Sequence, residues 1–338
     1  MTTLQSHIYK VSKGLSIYLD IYLPTTLTTT SKSSLLYFHA GGLVSYNRKR
    51  IYPHIVQACV MRGWPLVSVD YRLLPQAKGA DLWQDYVDAR EFVLNELPRS
   101  VKEKYNVEWN GEDIAKDLVV VGASAGSYIP FMAAAHSKSL DLQPPKAVLS
   151  YYGIPTFSHP LFNKSHVFLE PMVESQVAHF LSEDMQLGET EPHAIFDLSC
   201  LNDDGSPNPT YERPKTSQVE GEEPFSRGIL YDYFTEKNLY PSLIAPLDEP
   251  FRDGSWSKKE ITHPKIIMIH GDADVDVPIE LQQAAADELG PERARLLVVP
   301  GVEHNFDEGL YWDDGRLVKI REAWGLLDQV VERGEFDA

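Results

Sequence analysis

Cysteine is scarce in this chain of 338 residues: only Cys59 and Cys200 carry a thiol, and two thiols so far apart do not make a disulfide framework. Free thiols and a reducing, cytoplasmic compartment are expected. Positive charge is also short. Lysine and arginine number 31 against 49 aspartates and glutamates, a formal net charge of −18. No basic cluster offsets it, which opposes binding to nucleic acid or to anionic lipid. No apolar run reaches the roughly 20 residues of a membrane span, so no span is expected. Residues Met1 to Ser6 lack a basic region followed by an apolar core, and Glu335 to Ala338 carry no known address, so neither a secretory leader nor a C-terminal signal is expected. The cysteine and histidine spacings match no zinc site, and no glycine-rich loop ends in Gly-Lys-Ser/Thr. Neither a metal, a nucleotide nor a redox cofactor is therefore indicated. Internal repeats are absent, and nothing in the sequence bears on oligomeric state.

What is present is the composition of an ordinary globular protein, 43% hydrophobic and 24% charged, long enough for one large α/β core with an inserted subdomain. Residues 7 to 23 read as an edge hairpin, with Ile17, Leu19 and Ile21 alternating against Tyr18, Asp20 and Tyr22 after a turn at Lys13-Gly14. The Thr- and Ser-rich tract 25–34 reads as an exposed connection. Near-continuous apolar runs follow at 35–38, 65–69, 118–121 and 147–150, which suits strands of a parallel sheet covered on both faces. Between them Leu82, Tyr86, Ala89, Val93 and Leu97 recur at helical spacing until Pro98, which is expected to stop the helix. After Gly153 the alternation lapses and resumes at Ile266, predicting a core of residues 1–153 and 265–338 and an inserted lid over 154–264. Within the insertion, Phe168 to Leu187 and Pro224 to Lys237 read as helical. The core then adds a strand at 265–269, a helix carrying Leu281, Ala285 and Leu289 that ends at Gly290-Pro291, a strand at 295–299 and a last helix over 317–331.

Gly122-Ala123-Ser124-Ala125-Gly126 closes the strand at 118–121 and opens a helix. In G-x-S-x-G the glycines allow a turn too tight for side chains, so Ser124 is expected in a strained conformation with its hydroxyl exposed above the sheet edge. A serine hydroxyl is a weak nucleophile without a base, an acid to orient that base, and donors for an oxyanion. His304 follows the last strand, on a loop at the same sheet edge, where a base is required. Gly271-Asp272-Ala273-Asp274-Val275-Asp276-Val277-Pro278 follows the preceding strand and offers three carboxylates, of which Asp274 is taken as the acid and Asp276 as a helix cap. As a calcium loop the run fails, since Val277 and Gln283 stand where glycine and glutamate are needed. Phe38-His39-Ala40-Gly41-Gly42 follows a core strand and supplies a loop for backbone donors. His39 and His270 read as structural.

These residues together resemble the α/β-hydrolase family, and within it the hormone-sensitive-lipase-like carboxylesterases. His39-Ala40-Gly41-Gly42 is similar to that group's HGGG loop, Asp70-Tyr71-Arg72-Leu73-Leu74-Pro75 to its DYRLAP segment, and Gly122 to Gly126 to its GDSAG elbow. The resemblance spans residues 35 to 306 in the order Ser, Asp, His. It implies an α/β-hydrolase fold, with a mostly parallel central sheet, helices on both faces and a lid. It also implies a triad of Ser124, Asp274 and His304, with the N–H groups of Gly41, Gly42 and Ala125 as oxyanion donors. The chain departs from the pattern at Ala40, Ala123 and Ser127, at Pro130 early in the helix after the serine, and in a cap that lies after Gly153. The expected activity is hydrolysis of a small-molecule carboxylic ester. The alternative is a thioester-releasing, acyl-transferring or cyclising enzyme with the same triad, and a third reading is a ligand-binding protein that has lost the chemistry. Tyr151, Phe157, Phe225, Tyr231 and Phe234, at the junctions of the insertion with the core, are expected to line an apolar substrate pocket.

Overall fold

The computed structural model describes residues 3–25, 27, 33–138, 141–162, 171–182, 198–202, 204–212, 226–245 and 264–337. Among these, eight strands build one sheet: β1 (Thr3–Ser12), β2 (Leu15–Leu23), β3 (Ser34–Phe38), β4 (Leu66–Val69), β5 (Leu118–Ala123), β6 (Ala147–Tyr151), β7 (Lys265–Gly271) and β8 (Ala294–Val299). They lie in the order β1-β2-β4-β3-β5-β6-β7-β8. The pairs β1–β2 and β2–β4 are antiparallel, and every later pair is parallel. At the hairpin, Lys13 and Gly14 both have positive φ, 49° and 84°, as a two-residue turn between twisted strands demands.

Consecutive residues of the central strands feed opposite faces. Leu36, Phe38, Val120, Val148 and Met268 join one apolar cluster, whereas Leu35, Tyr37, Val119, Val121, Leu149 and Ile267 join another. Each such aliphatic side chain is worth roughly 1.5–3 kcal/mol when fully buried, and this burial stabilises the centre of the sheet. The registers Phe38↔Gly122, Ala123↔Tyr151, Tyr151↔Ile269 and Gly271↔Val299 bring the carboxyl ends of β3, β5, β6, β7 and β8 to one edge. In an open parallel sheet that edge is where chemistry is assembled.

The helices are α1 (Pro53–Arg62), α2 (Gly79–Tyr105), α3 (Gly111–Asp117), α4 (Tyr128–His136), α5 (Ile229–Glu236), α6 (Tyr240–Ile244), α7 (Glu280–Leu289) and α8 (Val318–Arg333). Pro98 does not stop its helix, as the sequence predicted; it lies inside the 27 residues of α2. The carbonyl that Pro98 leaves without a helical partner belongs to Leu94, and Gly111 at the start of α3 packs against it, where an added Cβ would stand 2.7 Å from that oxygen. Pro130 causes no break either, because a 3₁₀ turn over Ser124–Ser127 precedes α4 and puts Pro130 in the first turn of the helix, where amides lack helical acceptors anyway. Asp276 is not a cap: α7 begins at Glu280 with Ile279 at its N-cap.

Between β6 and β7 the described residues hold α5, α6 and short 3₁₀ turns at Glu174–Gln176, Ala178–Phe180 and Leu198–Cys200. The helix expected over Phe168 to Leu187 is not seen in its described part, residues 171–182, which is split into separate turns. Among the described residues no helix is long and apolar enough to cross a membrane.

Candidate active site

β5 delivers the chain into a turn that only a tightly packed neighbourhood sustains. Ser124 has φ 52°, a left-handed conformation that costs a non-glycine residue about 1 kcal/mol or more. Gly126 lies so close to the backbone of the loop after β3 that a Cβ there would collide with the His39 carbonyl. Turn and loop thus meet backbone to backbone. The serine is not exposed as expected, since it keeps only 7% of its surface. Loops crowd the sheet edge around it, and the Ile154 amide donates to its carbonyl at 3.3 Å.

His304 reaches this serine from the loop after β8. Its Nε2 lies 2.9 Å from Ser124 Oγ and its Nδ1 lies 2.6 Å from Asp274 Oδ2. Of the three carboxylates on the loop after β7, Asp274 alone is buried. Its Oδ1 accepts the amides of Asp276 at 3.0 Å and Val277 at 2.8 Å. Burial pushes the carboxyl up, but bonds from His270, His304 and the Val277 amide outweigh it and hold the pKa at about 2. Asp272 has another task. Its Oδ1 accepts the Gly301 amide at 2.6 Å and ties the loop after β7 to the loop after β8. Among the described residues no group of three or more His, Cys, Asp or Glu side chains is arranged to hold a metal ion.

The loop bearing His304 is anchored by residues that sequence reasoning missed. Asp307, fully buried, accepts from Tyr152 Oη at 2.9 Å on Oδ1 and meets His54 Nε2 at 2.9 Å on Oδ2. Tyr52 donates to Asn305 Oδ1 at 3.1 Å, and the Tyr152 ring stands edge-on to His304 with centroids 4.8 Å apart. Partners separated by 155 and 253 positions leave no local pattern. The one available signal was a histidine within the apolar run of α1.

On the loop after β3, His39 is structural, as read from sequence. It stacks on Tyr71 at 4.2 Å, and burial, against the pull of the Ala40 carbonyl, lowers its pKa to about 3, so it stays neutral. The Gly41 carbonyl accepts the amides of Val44 and Ser45, both at 3.0 Å, and the Gly42 carbonyl accepts Tyr240 Oη at 2.6 Å. Gly41 and Gly42 have φ 125° and 65°, values that a side chain would strain.

The aromatic residues divide. Phe157 and Phe234 are buried in a cluster about Tyr240, Phe157 stacked on it at 4.5 Å and Phe234 edge-on at 5.6 Å. Tyr151 points the other way and accepts from Trp324 Nε1 at 2.8 Å beneath α8. All three pack within the core, as rings at strand and helix ends commonly do. Phe225 lies outside the described residues. Tyr231 is half-buried, packs against Gly42, and donates to the Asp276 carbonyl at 2.8 Å, bridging the two loops that flank Ser124.

A family model described as alpha/beta hydrolase fold matches residues 35–221. The non-reducing polyketide synthase ausA of Emericella nidulans is 27% identical over 243 residues, 70% of this chain and 9% of the relative. Its namesake from Aspergillus calidoustus is 26% identical over 361 residues, 96% of this chain and 14% of the relative. The chain therefore spans only about a tenth of the length of these relatives. Among solved structures, an alpha/beta hydrolase superfamily protein from Enterococcus faecalis superposes with TM-score 0.59 at 15% identity, covering 98% of this chain and 99% of that one. A hyperthermophilic esterase from the archaeon Pyrobaculum calidifontis gives TM-score 0.57 at 17% identity, covering 98% and 84%. At such identities the likeness is one of fold.

Proposed function

Because this chain belongs to the alpha/beta hydrolase fold family, we propose that it cleaves a carboxylic ester of a small molecule through an acyl-enzyme on Ser124. The observation that carries the reading is the unbroken chain from Ser124 Oγ to His304 Nε2 at 2.9 Å and from His304 Nδ1 to Asp274 Oδ2 at 2.6 Å. His304 takes the Ser124 proton as Oγ attacks the carbonyl carbon, and Asp274 stabilises the imidazolium that results. The N–H groups of Gly41, Gly42 and Ala125 receive the oxyanion. Collapse of the tetrahedral species expels the alcohol with the proton held on His304. Water, deprotonated by the same imidazole, then releases the acid and regenerates the serine.

In this reading residues 154–264 form a lid over the serine, and Tyr231 lines the acyl site. A second reading keeps the acyl-enzyme but takes its acyl group from a thioester, or passes it to an acceptor other than water in release or cyclisation. It is favoured by the similarity to proteins named polyketide synthases. The test is treatment with a fluorophosphonate, followed by peptide mapping and assay of an ester series beside an acyl thioester. We expect one label, on Ser124, and loss of turnover by about 10⁴-fold or more in Ser124→Ala with the fold retained. Activity of Ser124→Ala within tenfold of the parent would remove the nucleophile. Preference for the thioester, or a product in which the acyl group sits on a non-water acceptor, would put the second reading first.

A further inference from the structure

Asp274 serves two imidazoles on a single oxygen. Oδ2 lies 2.6 Å from His304 Nδ1 and 3.1 Å from His270 Nε2. His270 is fully buried at the end of β7, and its Nε2 is also 2.7 Å from the Val277 carbonyl. An imidazole nitrogen that faces two acceptors must carry the hydrogen, so His270 Nε2–H donates to the same oxygen that His304 uses. Behind it, His270 Nδ1 lies 3.1 Å from Gln282 Oε1, and Gln282 Nε2 donates to Ser150 Oγ at 2.6 Å. Gln282 and Ser150 are themselves fully buried. The ring is thus held from α7 and β6, and it has no freedom to leave Asp274.

We propose that His270, braced by Gln282 and Ser150, is a positioning residue that sets the orientation of Asp274 and lowers the basicity of His304. The proposal rests on the triad reading above. A hydrogen bond draws negative charge from the oxygen that accepts it, and two donors on Oδ2 share what one would otherwise have. With His270 gone, Oδ2 turns more charge toward His304, holds the imidazolium more firmly, and so moves the acid limb of activity to higher pH. Apart from His304 itself, only the two backbone amides on Oδ1 then hold the carboxylate, so it is less well aimed and turnover falls. Other groups face this site from each neighbouring element. They are Asp272 and Asp276 on its own loop, Tyr231 and Asp232 on α5, and Asp307 with Tyr152 behind the His304 loop. All of them are common to parent and variant, so their fields cancel in the comparison.

The experiment follows the rate of Ser124 labelling by a fluorophosphonate against pH, which needs no knowledge of the substrate, together with kcat and KM on an active ester. His270→Phe keeps an aromatic ring and removes the donor, whereas His270→Gln keeps an N–H near the position of Nε2. In His270→Phe we expect the acid limb to rise by about half a pH unit or more, kcat to fall about tenfold, and KM to stay within about twofold. His270→Gln should return both limb and kcat toward the parent. Gln282→Leu, which releases the far side of the ring, should move the limb in the same direction and serves if His270→Phe does not fold. An unmoved limb in His270→Phe, or in Gln282→Leu where that variant stands in, with any loss of rate tracking Tm, overturns the proposal. Failure of the parent to label at Ser124 overturns instead the triad reading beneath it.

Discussion

Asp274 accepts four donors, and its two neighbours on the same loop accept far less, so the three aspartates should respond differently to amidation. Asp274→Asn should lower kcat by about 10³–10⁴-fold, because an amide presents His304 with the wrong tautomer and no balancing charge. Asp272→Asn keeps an oxygen for the Gly301 amide and Asp276 is exposed, so both variants should stay within a few-fold. Steady-state kinetics, with circular dichroism as a folding control, decides it. The pH dependence separates the same groups. Turnover should decline on acidification, because a protonated imidazole cannot accept the Ser124 proton. Asp274, held near 2, remains a carboxylate throughout and contributes nothing to that limb. A flat profile would mean another base. For stability the sign is that of a depressed acid. The contribution of Asp274 is complete above its ordinary 3.8 and is lost as pH falls through about 2. The Tm difference between the parent and Asp274→Asn should narrow as pH falls from 3.8 through about 2.

Two side chains at α5, Arg227 just before it and Tyr231 within it, should each have a measurable effect. Buried Arg227, just before α5, donates to the carbonyls of Val44 at 2.7 Å and Leu74 at 2.8 Å and to Gln76 Oε1 at 2.6 Å. Arg227→Met should lower Tm, at about 1–3 kcal/mol for each carbonyl left without a donor, and should raise KM more than it lowers kcat. Tyr231→Ala should shift the preferred acyl length without abolishing turnover, since apolar pockets discriminate by about 1–3 kcal/mol per methylene. Phe157→Ala should lose stability alone, about 3–5 kcal/mol from its stacked site. Thermal unfolding, kcat and KM, and a ranking of ester chain lengths for the three variants test these outcomes.

Legibility followed the same physics. The central strands stand out as apolar runs because both faces of a parallel sheet are covered, and the elbow because its glycines answer a steric demand. Helix α1 has start and stop signals in Pro53 and in Gly63 at φ 65°, yet its first seven residues are all buried and show no polar stripe to betray a helix. Pro98 misled because tertiary packing tolerated what local rules forbid. The support of His304 by Tyr152, His54 and Asp307, and of Asp274 by His270, depends on side chains brought together only by the tertiary fold.

At the scale of the whole molecule, a formal charge of −18 makes the folded state repel itself at low ionic strength. Raising salt from about 10 mM to 150 mM shortens the Debye length from roughly 30 Å to 8 Å. Thermal unfolding at pH 8 should accordingly move to higher temperature over that range, and an unchanged or falling Tm would show that local pairs dominate over net charge. The order of the sheet carries a further consequence, for the time course of folding. Ser124 and His304 are 180 residues apart, and the loop that presents the histidine follows β8, the outermost strand on its side of the sheet. Loop-closure entropy must be met before so distant a contact is made. In a refolding experiment, fluorescence and circular dichroism will report the centre of the sheet, while serine labelling will report only chains whose last strand has docked in register. Reactivity toward the fluorophosphonate is then a clock for the completion of folding, and any lag between it and the optical signals measures how late the eighth strand arrives.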